Sequence, residues 1–457
     1  MNFNITTIIP IIIFIAFCYL TYILLTKKRA NALDYISPLN LFVLMAFIGY
    51  PLKFVITYYF PQYFFFNNFN VQFSIAESDY YNTLLVFVLG YAAFVFAYKT
   101  VLFKTKTPLD VKPVNPNRNK FKVNGILLLA LALLMIFADF YFKQVFSVGL
   151  LLVKPKIMFS GYIYFFLMFG KIFILSLYTY NSFTGRSRFH QLASIVLLFV
   201  MGITDAINMS KSGFVNVFII LISSYFMISQ NKKIPPLAIK RILIFVPIVI
   251  VLLFPLVELY RFDFMILGKG DINLMNLIGT FSNLNMSGLN FLSMGVERVI
   301  NRVIGFGELF PLVAYAKEHA LFNYSDYFNG NTEVISATLY KDILGMSNSP
   351  GGFAAGLWAY LYSYFGPLGV FITFFIWGKL SRFLFNKLKY VSAKHPNLGV
   401  GIFPAYLIWF YFVTFEGQVG AYGVKYIVAL IFISLFWFIL FEILSNEKIF
   451  KKHENRD

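Results

Sequence analysis

Within GVERVINRVIGFGELF, residues 295 to 310, Arg298 and Arg302 stand four residues apart among valines and isoleucines. At 100° per residue, Glu297, Asn301, Gly305, Arg298 and Arg302 fall within an arc of about 140°. Val296, Val299, Ile300, Val303 and Ile304 fill the other side, so the spacing predicts an amphipathic helix over 295–305. Two guanidiniums at i and i+4 repel unless an anion lies between them, and arginine's fork of donors suits phosphate oxygens better than lysine's point charge. The pair therefore points to an anion site facing a wet cavity. The plainer alternative is an interfacial helix whose arginines touch lipid headgroups or pair with Glu297 and Glu308, a role lysine would fill equally well.

Other residues offer related chemistry. In DAINMSKSGFVNV a polar run that includes Asn208, Ser210, Lys211 and Ser212 separates two apolar segments. Serines, a glycine and a lysine at the start of a helix make a phosphate cradle; a tight turn explains the Ser and Gly but not the lysine. Arg261 follows Tyr260 in VELYRF, where it is either a ligand for an anion or a residue snorkelling from a helix end. Carboxylates at 258, 263, 297, 308, 318, 326 and 333 and His319 are the acid–base candidates on the same side, although a histidine in KEHALF also fits an ordinary surface position. Lys171, Asp139 and Asp205 lie inside apolar segments, where ionisable groups are costly. Each is a functional candidate, and a structural pair between Lys171 and an aspartate stands beside that reading. No HExxH, DxD or clustered ligand pattern occurs between 259 and 351, which leaves a catalytic metal unsupported.

The elements that must hold these residues are membrane helices. The 457-residue chain is 59% hydrophobic, 20% aromatic and 13% charged, against about 25% charged in soluble domains. Its net charge of +18 sits in short clusters between apolar runs, a topology signal and not a nucleic-acid face. Cys18 is the only cysteine, so no intrachain disulfide forms. A helix needs about 20 mainly apolar residues to cross a bilayer. Eleven segments qualify: 5–26, 37–58, 80–98, 122–142, 160–180, 190–207, 213–230, 240–258, 352–378, 397–415 and 423–443. The first lacks a basic n-region and a small-residue cleavage site and is expected to stay as an anchor.

Basic residues collect after the first span at Lys27, Lys28 and Arg29 and then in every second loop, including 379–396, which predicts N-terminus outside and C-terminus inside. Thirteen basic residues run against that rule: Lys53, Lys143, Lys154, Lys156, Lys171, Lys211, Arg261, Lys269, Arg298, Arg302, Lys317, Lys341 and Lys425. The outer segment 259–351 is far longer than ordinary connections and is expected to be folded and functional. The whole chain reads as one all-α polytopic membrane domain. Aromatic clusters such as TYYFPQYFFF and GLWAYLYSYFG sit at the outer rim, where belts are normal and where some rings would stack on sugar faces.

In layout the chain resembles the Wzy-type O-antigen or oligosaccharide repeat-unit polymerases: about eleven spans and one large outer loop late in the chain. Locally the resemblance rests on SKSGFVNVFIILI (210–222), on ERVINRV within the loop, and on SNSPGGFAAGLWAYLYSYFGPLGV (347–370) with its Phe-Gly-Pro-Leu-Gly break. Where Lys211 stands, that family more often has arginine. The resemblance implies a GT-C-type glycosyltransferase of the bacterial inner membrane, independent of metal or other cofactor, with its active site facing the periplasm. Its substrates would be two undecaprenyl-pyrophosphate-linked oligosaccharides, donor and acceptor, and a chain-length regulator is an expected partner. Arg298 and Arg302 would stabilise the leaving pyrophosphate, and Lys211, Ser210, Arg261 and Tyr260 would help bind it. The general base stays open among His319, Glu297 and Glu258. An O-antigen ligase acting on lipid A core is the nearest alternative, and a lipid-linked oligosaccharide flippase the next. A transporter would set its charges along a midplane cavity; here they concentrate in one outer loop.

Overall fold

The computed structural model describes residues 5–26, 32–60, 76–100, 125–146, 160–185, 188–208, 212–231, 306–318 and 356–415, together with 431, 435, 436 and 439. Among these residues all regular structure is helical. Its α-helices are α1 (Ile5–Thr26), α2 (Pro38–Phe47), α3 (Lys53–Tyr59), α4 (Glu77–Lys99), α5 (Gly125–Phe146), α6 (Ser160–Gly185), α7 (Arg188–Ile207), α8 (Ser212–Asn231), α9 (Phe306–Glu318), α10 (Gly356–Lys394) and α11 (Pro396–Phe415). Among the described residues seven stretches are long and apolar enough to cross a membrane, and they coincide with seven of the eleven expected segments. α6 and α8 occupy two more of those segments. The segment 240–258 lies outside the described residues, as does most of 423–443.

Contacts divide the chain into two compact units. The first comprises residues 1–107, 300–387 and 409–423, and so holds α1 to α4, α9, most of α10 and the end of α11. Ser37 caps α2 by accepting from the Asn40 backbone N–H, and Pro38 takes the first helical position, where no donor is missed. Pro51 cannot donate to the preceding turn, and around it the helix widens into a π segment, Ile48–Leu52, before resuming as α3. α4 carries Glu77 and Asp79 in its first turn and Lys99 in its last, matching its dipole. Its open C-terminal carbonyls are closed from α10: Lys379 Nζ donates to Thr100 O at 2.6 Å and Arg382 Nη1 to Tyr98 O at 2.9 Å. The core here is aromatic. Phe42 stacks on Phe94 at 3.9 Å, Tyr50 on Phe87 at 4.4 Å, and the buried Trp358 packs on Phe374 at 4.1 Å while its Nε1 donates to Phe87 O.

α10 is two helical stretches joined at Gly366, whose φ of 64° and ψ of −167° are not helical. Pro367 disfavours the helical conformation in the residue before it, and Gly366, having no Cβ, can take the positive φ seen at the break. The Phe-Gly-Pro-Leu-Gly break expected from the sequence is therefore present. Beyond it, α10 runs to Lys394, through most of the segment 379–396 read above as a basic loop. Lipid compels a helix but water does not forbid one: a helix already nucleated in the apolar run can be extended through good helix formers such as Leu and Lys, so the end of the apolar run is not the end of the helix.

The second unit comprises residues 108–299, 388–408 and 424–457. α6 is its centre, packing against α5, α7 and α8, and α5 also meets α7. α6 is buried along its length from Met168 to Tyr180, Lys171 included.

Candidate functional site

Four charged side chains meet inside the second unit. Asp139 and Lys143 lie one turn apart on α5, Lys171 lies near the middle of α6, and Asp205 lies in the last turn of α7. All four are at most 5% exposed. Lys143 Nζ stands 2.9 Å from Asp139 Oδ2 and 2.6 Å from Asp205 Oδ1. Lys171 Nζ is paired with Asp139 Oδ2 and lies 3.1 Å from Asp205 Oδ1. Cations and anions thus alternate around a ring, each carboxylate engaged by both ammonium groups. The sum of charges is zero, which is what allows four ions to stay inside an apolar bundle; any one alone would carry an uncompensated desolvation cost.

The surroundings extend this polar patch. The Tyr164 ring of α6 lies 5.9 Å from Lys143 Nζ, a cation–π distance. One residue beyond Lys143, Gln144 Nε2 donates to Asn208 Oδ1 at 2.7 Å, tying the end of α5 to the end of α7. α8 begins immediately after this layer. A Cβ added to Gly213 would come within 2.7 Å of Asp205 Oδ2, so only glycine lets the first turn of α8 lie flat against the ion cluster. Chemically the quartet is a closed ion-pair lock: it joins α5, α6 and α7 through directional contacts and fixes the place where α8 starts.

The pairing of Lys171 with an aspartate, weighed above as its structural role, is what the structure contains, with both aspartates. Lys143 was counted only among residues that defy the charge rule. Its four-residue spacing from Asp139 is the signal that would have found it. Arg298, Arg302, Glu297, His319, Lys211, Ser210, Arg261 and Tyr260 all lie outside the described residues, as does the helix expected over 295–305. The described part of the segment 259–351 is α9, which begins at Phe306. It packs against α3 and α4, with Phe306 and Phe310 buried on Phe54 and Tyr80. Among the described residues no group of three or more His, Cys, Asp or Glu side chains is placed to hold a metal ion.

Comparison with known proteins finds no matching family model, no matching curated protein and no matching solved structure.

Proposed function

We propose that this multi-pass membrane protein polymerises undecaprenyl-pyrophosphate-linked oligosaccharide repeat units into a surface polysaccharide at the periplasmic face of the inner membrane. The observation that carries the reading is the setting of the segment SKSGFVNVFIILI, one of the three on which the resemblance to Wzy-type polymerases rests. Its helix, α8, starts against the buried quartet, with Gly213 on Asp205. A helix start seated on a buried ion cluster is a firm support, and the reading sets beside it a phosphate cradle made by Ser210, Lys211 and the first N–H groups of α8. In the mechanism the growing glycan passes from its lipid pyrophosphate to the non-reducing end of a second lipid-linked unit. Arg298 and Arg302 stabilise the charge that develops on the departing pyrophosphate, an effect worth about 3 to 4 kcal/mol per donor in a water-poor cleft. A base drawn from His319, Glu297 or Glu258 takes the acceptor proton. The quartet itself also favours a second reading, a flippase for lipid-linked oligosaccharide, because transporters keep ionisable groups inside their spans.

One experiment separates these. In a deletion strain, loss of a polymerase leaves core capped with one repeat unit, whereas loss of a ligase or flippase leaves bare core. Complementation at matched protein amounts then tests the arginines. Arg298→Ala and Arg302→Ala are expected to give single-repeat core, and the corresponding lysine variants short ladders, since lysine keeps the charge and loses the bidentate fork. Full ladders from an alanine variant, or from both lysine variants, would remove the pair from the active site.

A further inference from the structure

The end of the first unit where α3 finishes and α4 begins carries four tyrosines and a carboxylate in one cluster. Tyr58 sits at its centre, with ring centroids 5.2 Å from Tyr59, 5.6 Å from Tyr80 and 6.4 Å from Tyr81. Its hydroxyl donates to Glu77 Oε1 at 2.8 Å. All four tyrosines are half-buried, while Glu77, Ser78 and Asn82 are exposed beside them on α4. The cluster packs on an apolar base from α9: Phe310 lies 4.5 Å from Tyr80, and Phe306 lies 5.4 Å from Phe54.

We propose that Tyr58, Tyr59, Tyr80, Tyr81 and Glu77 form a subsite for an uncharged sugar ring. An interfacial belt explains single tyrosines spread around a bundle, each with its hydroxyl in water. Here the rings pack against one another and one hydroxyl is held by a carboxylate, so the side chains are fixed in place as a group. Glu77, with Asp79 in the same first turn of the helix, also makes this end unfavourable for phosphate or an anionic headgroup. The set of groups matches a carbohydrate instead. Electron-rich ring faces attract the slightly positive C–H face of a pyranose, and a carboxylate, a phenol, a serine and an amide supply donors and acceptors for neighbouring hydroxyls. Glu77 is the strongest acceptor of the set, and Tyr58 fixes its orientation.

The choice of ligand rests on the polymerase reading, under which this end of α3 and α4 is the outer one and the lipid-linked glycan lies alongside it. The test uses the purified full chain in a detergent free of sugar headgroups. Its probe is the oligosaccharide repeat of the producing strain's surface glycan, released by mild acid and carrying neither lipid nor phosphate. Saturation of aromatic protons in the wild-type protein is expected to transfer to the sugar C–H protons. Glu77→Gln and Tyr58→Phe, which keep side-chain shape, are expected to weaken binding about tenfold with unchanged melting temperature. Absence of transfer in the wild type, or variants that bind as it does, would overturn the subsite. If deletion leaves full-length surface chains while the oligosaccharide still binds through Glu77, the polymerase reading falls and the subsite stands. If deletion leaves single-repeat core while Glu77→Gln binds sugar unchanged, the subsite alone falls.

Discussion

Asp205 is the residue on which most of the second unit converges, because it receives both lysines and carries Gly213 against its side chain. Replacing it by asparagine keeps the shape and leaves Asp139 facing two ammonium groups, a net buried positive charge. Removing one member of a buried ion pair costs about 3 to 5 kcal/mol, so Asp205→Asn is expected to lower the melting temperature in detergent sharply. Lys171→Met alone leaves the opposite imbalance. The double variant restores neutrality and is expected to lose clearly less than the sum of the two, a coupling readable from a double-mutant cycle. Additive losses would show that the two side chains act independently and that the ring is not a unit.

At the scale of elements, the break in α10 depends on one dihedral. Nothing lies within 4 Å of a Cβ placed on Gly366, so Gly366→Ala meets no steric obstacle and its cost is purely conformational. A residue with a side chain held at this φ and ψ, a region essentially confined to glycine, costs about 1 to 3 kcal/mol, and thermal melts of this variant are expected to show a loss of that size. A neutral result would mean that the chain turns at Pro367 without a left-handed residue. Close approach governs the crossing of α4 and α10 in a different way. A Cβ on Gly378 would stand 2.7 Å from the Phe94 carbonyl oxygen, a backbone atom that cannot step aside, and this contact brings Lys379 and Arg382 onto the end of α4.

For the whole molecule, the testable quantity is orientation. Alternation of basic loops predicts that 259–351 is outside and the α10–α11 junction inside. Ser392 is buried and useless as a probe, but His395 at that junction is exposed. In a Cys18→Ala background, Asn323→Cys is expected to react with an impermeant thiol reagent in intact cells and His395→Cys only after lysis. Labelling of His395→Cys in intact cells would invert the topology and place the proposed arginine site on the wrong side.

Much of the helical layout was legible before any coordinates, for a physical reason. A segment inside lipid must satisfy its own backbone, so an apolar run of sufficient length is a helix, and α1 and α11 fall within a residue of the runs 5–26 and 397–415. The break at Gly366 and Pro367 was legible too, because it is set by the dihedral restrictions of two adjacent residues. Hydropathy could not mark where α10 ends, since its last turns carry Lys387, Lys389 and Lys394 and are helical without being apolar. Composition flagged Lys171, Asp139 and Asp205 as expensive, and the i, i+4 spacing joins Asp139 to Lys143. That all four close into one neutral ring, with Gly213 against it, was decided only by the tertiary structure. Charges 32 and 34 residues apart in sequence become partners only when helix packing brings them within hydrogen-bond range, and no local pattern encodes that distance.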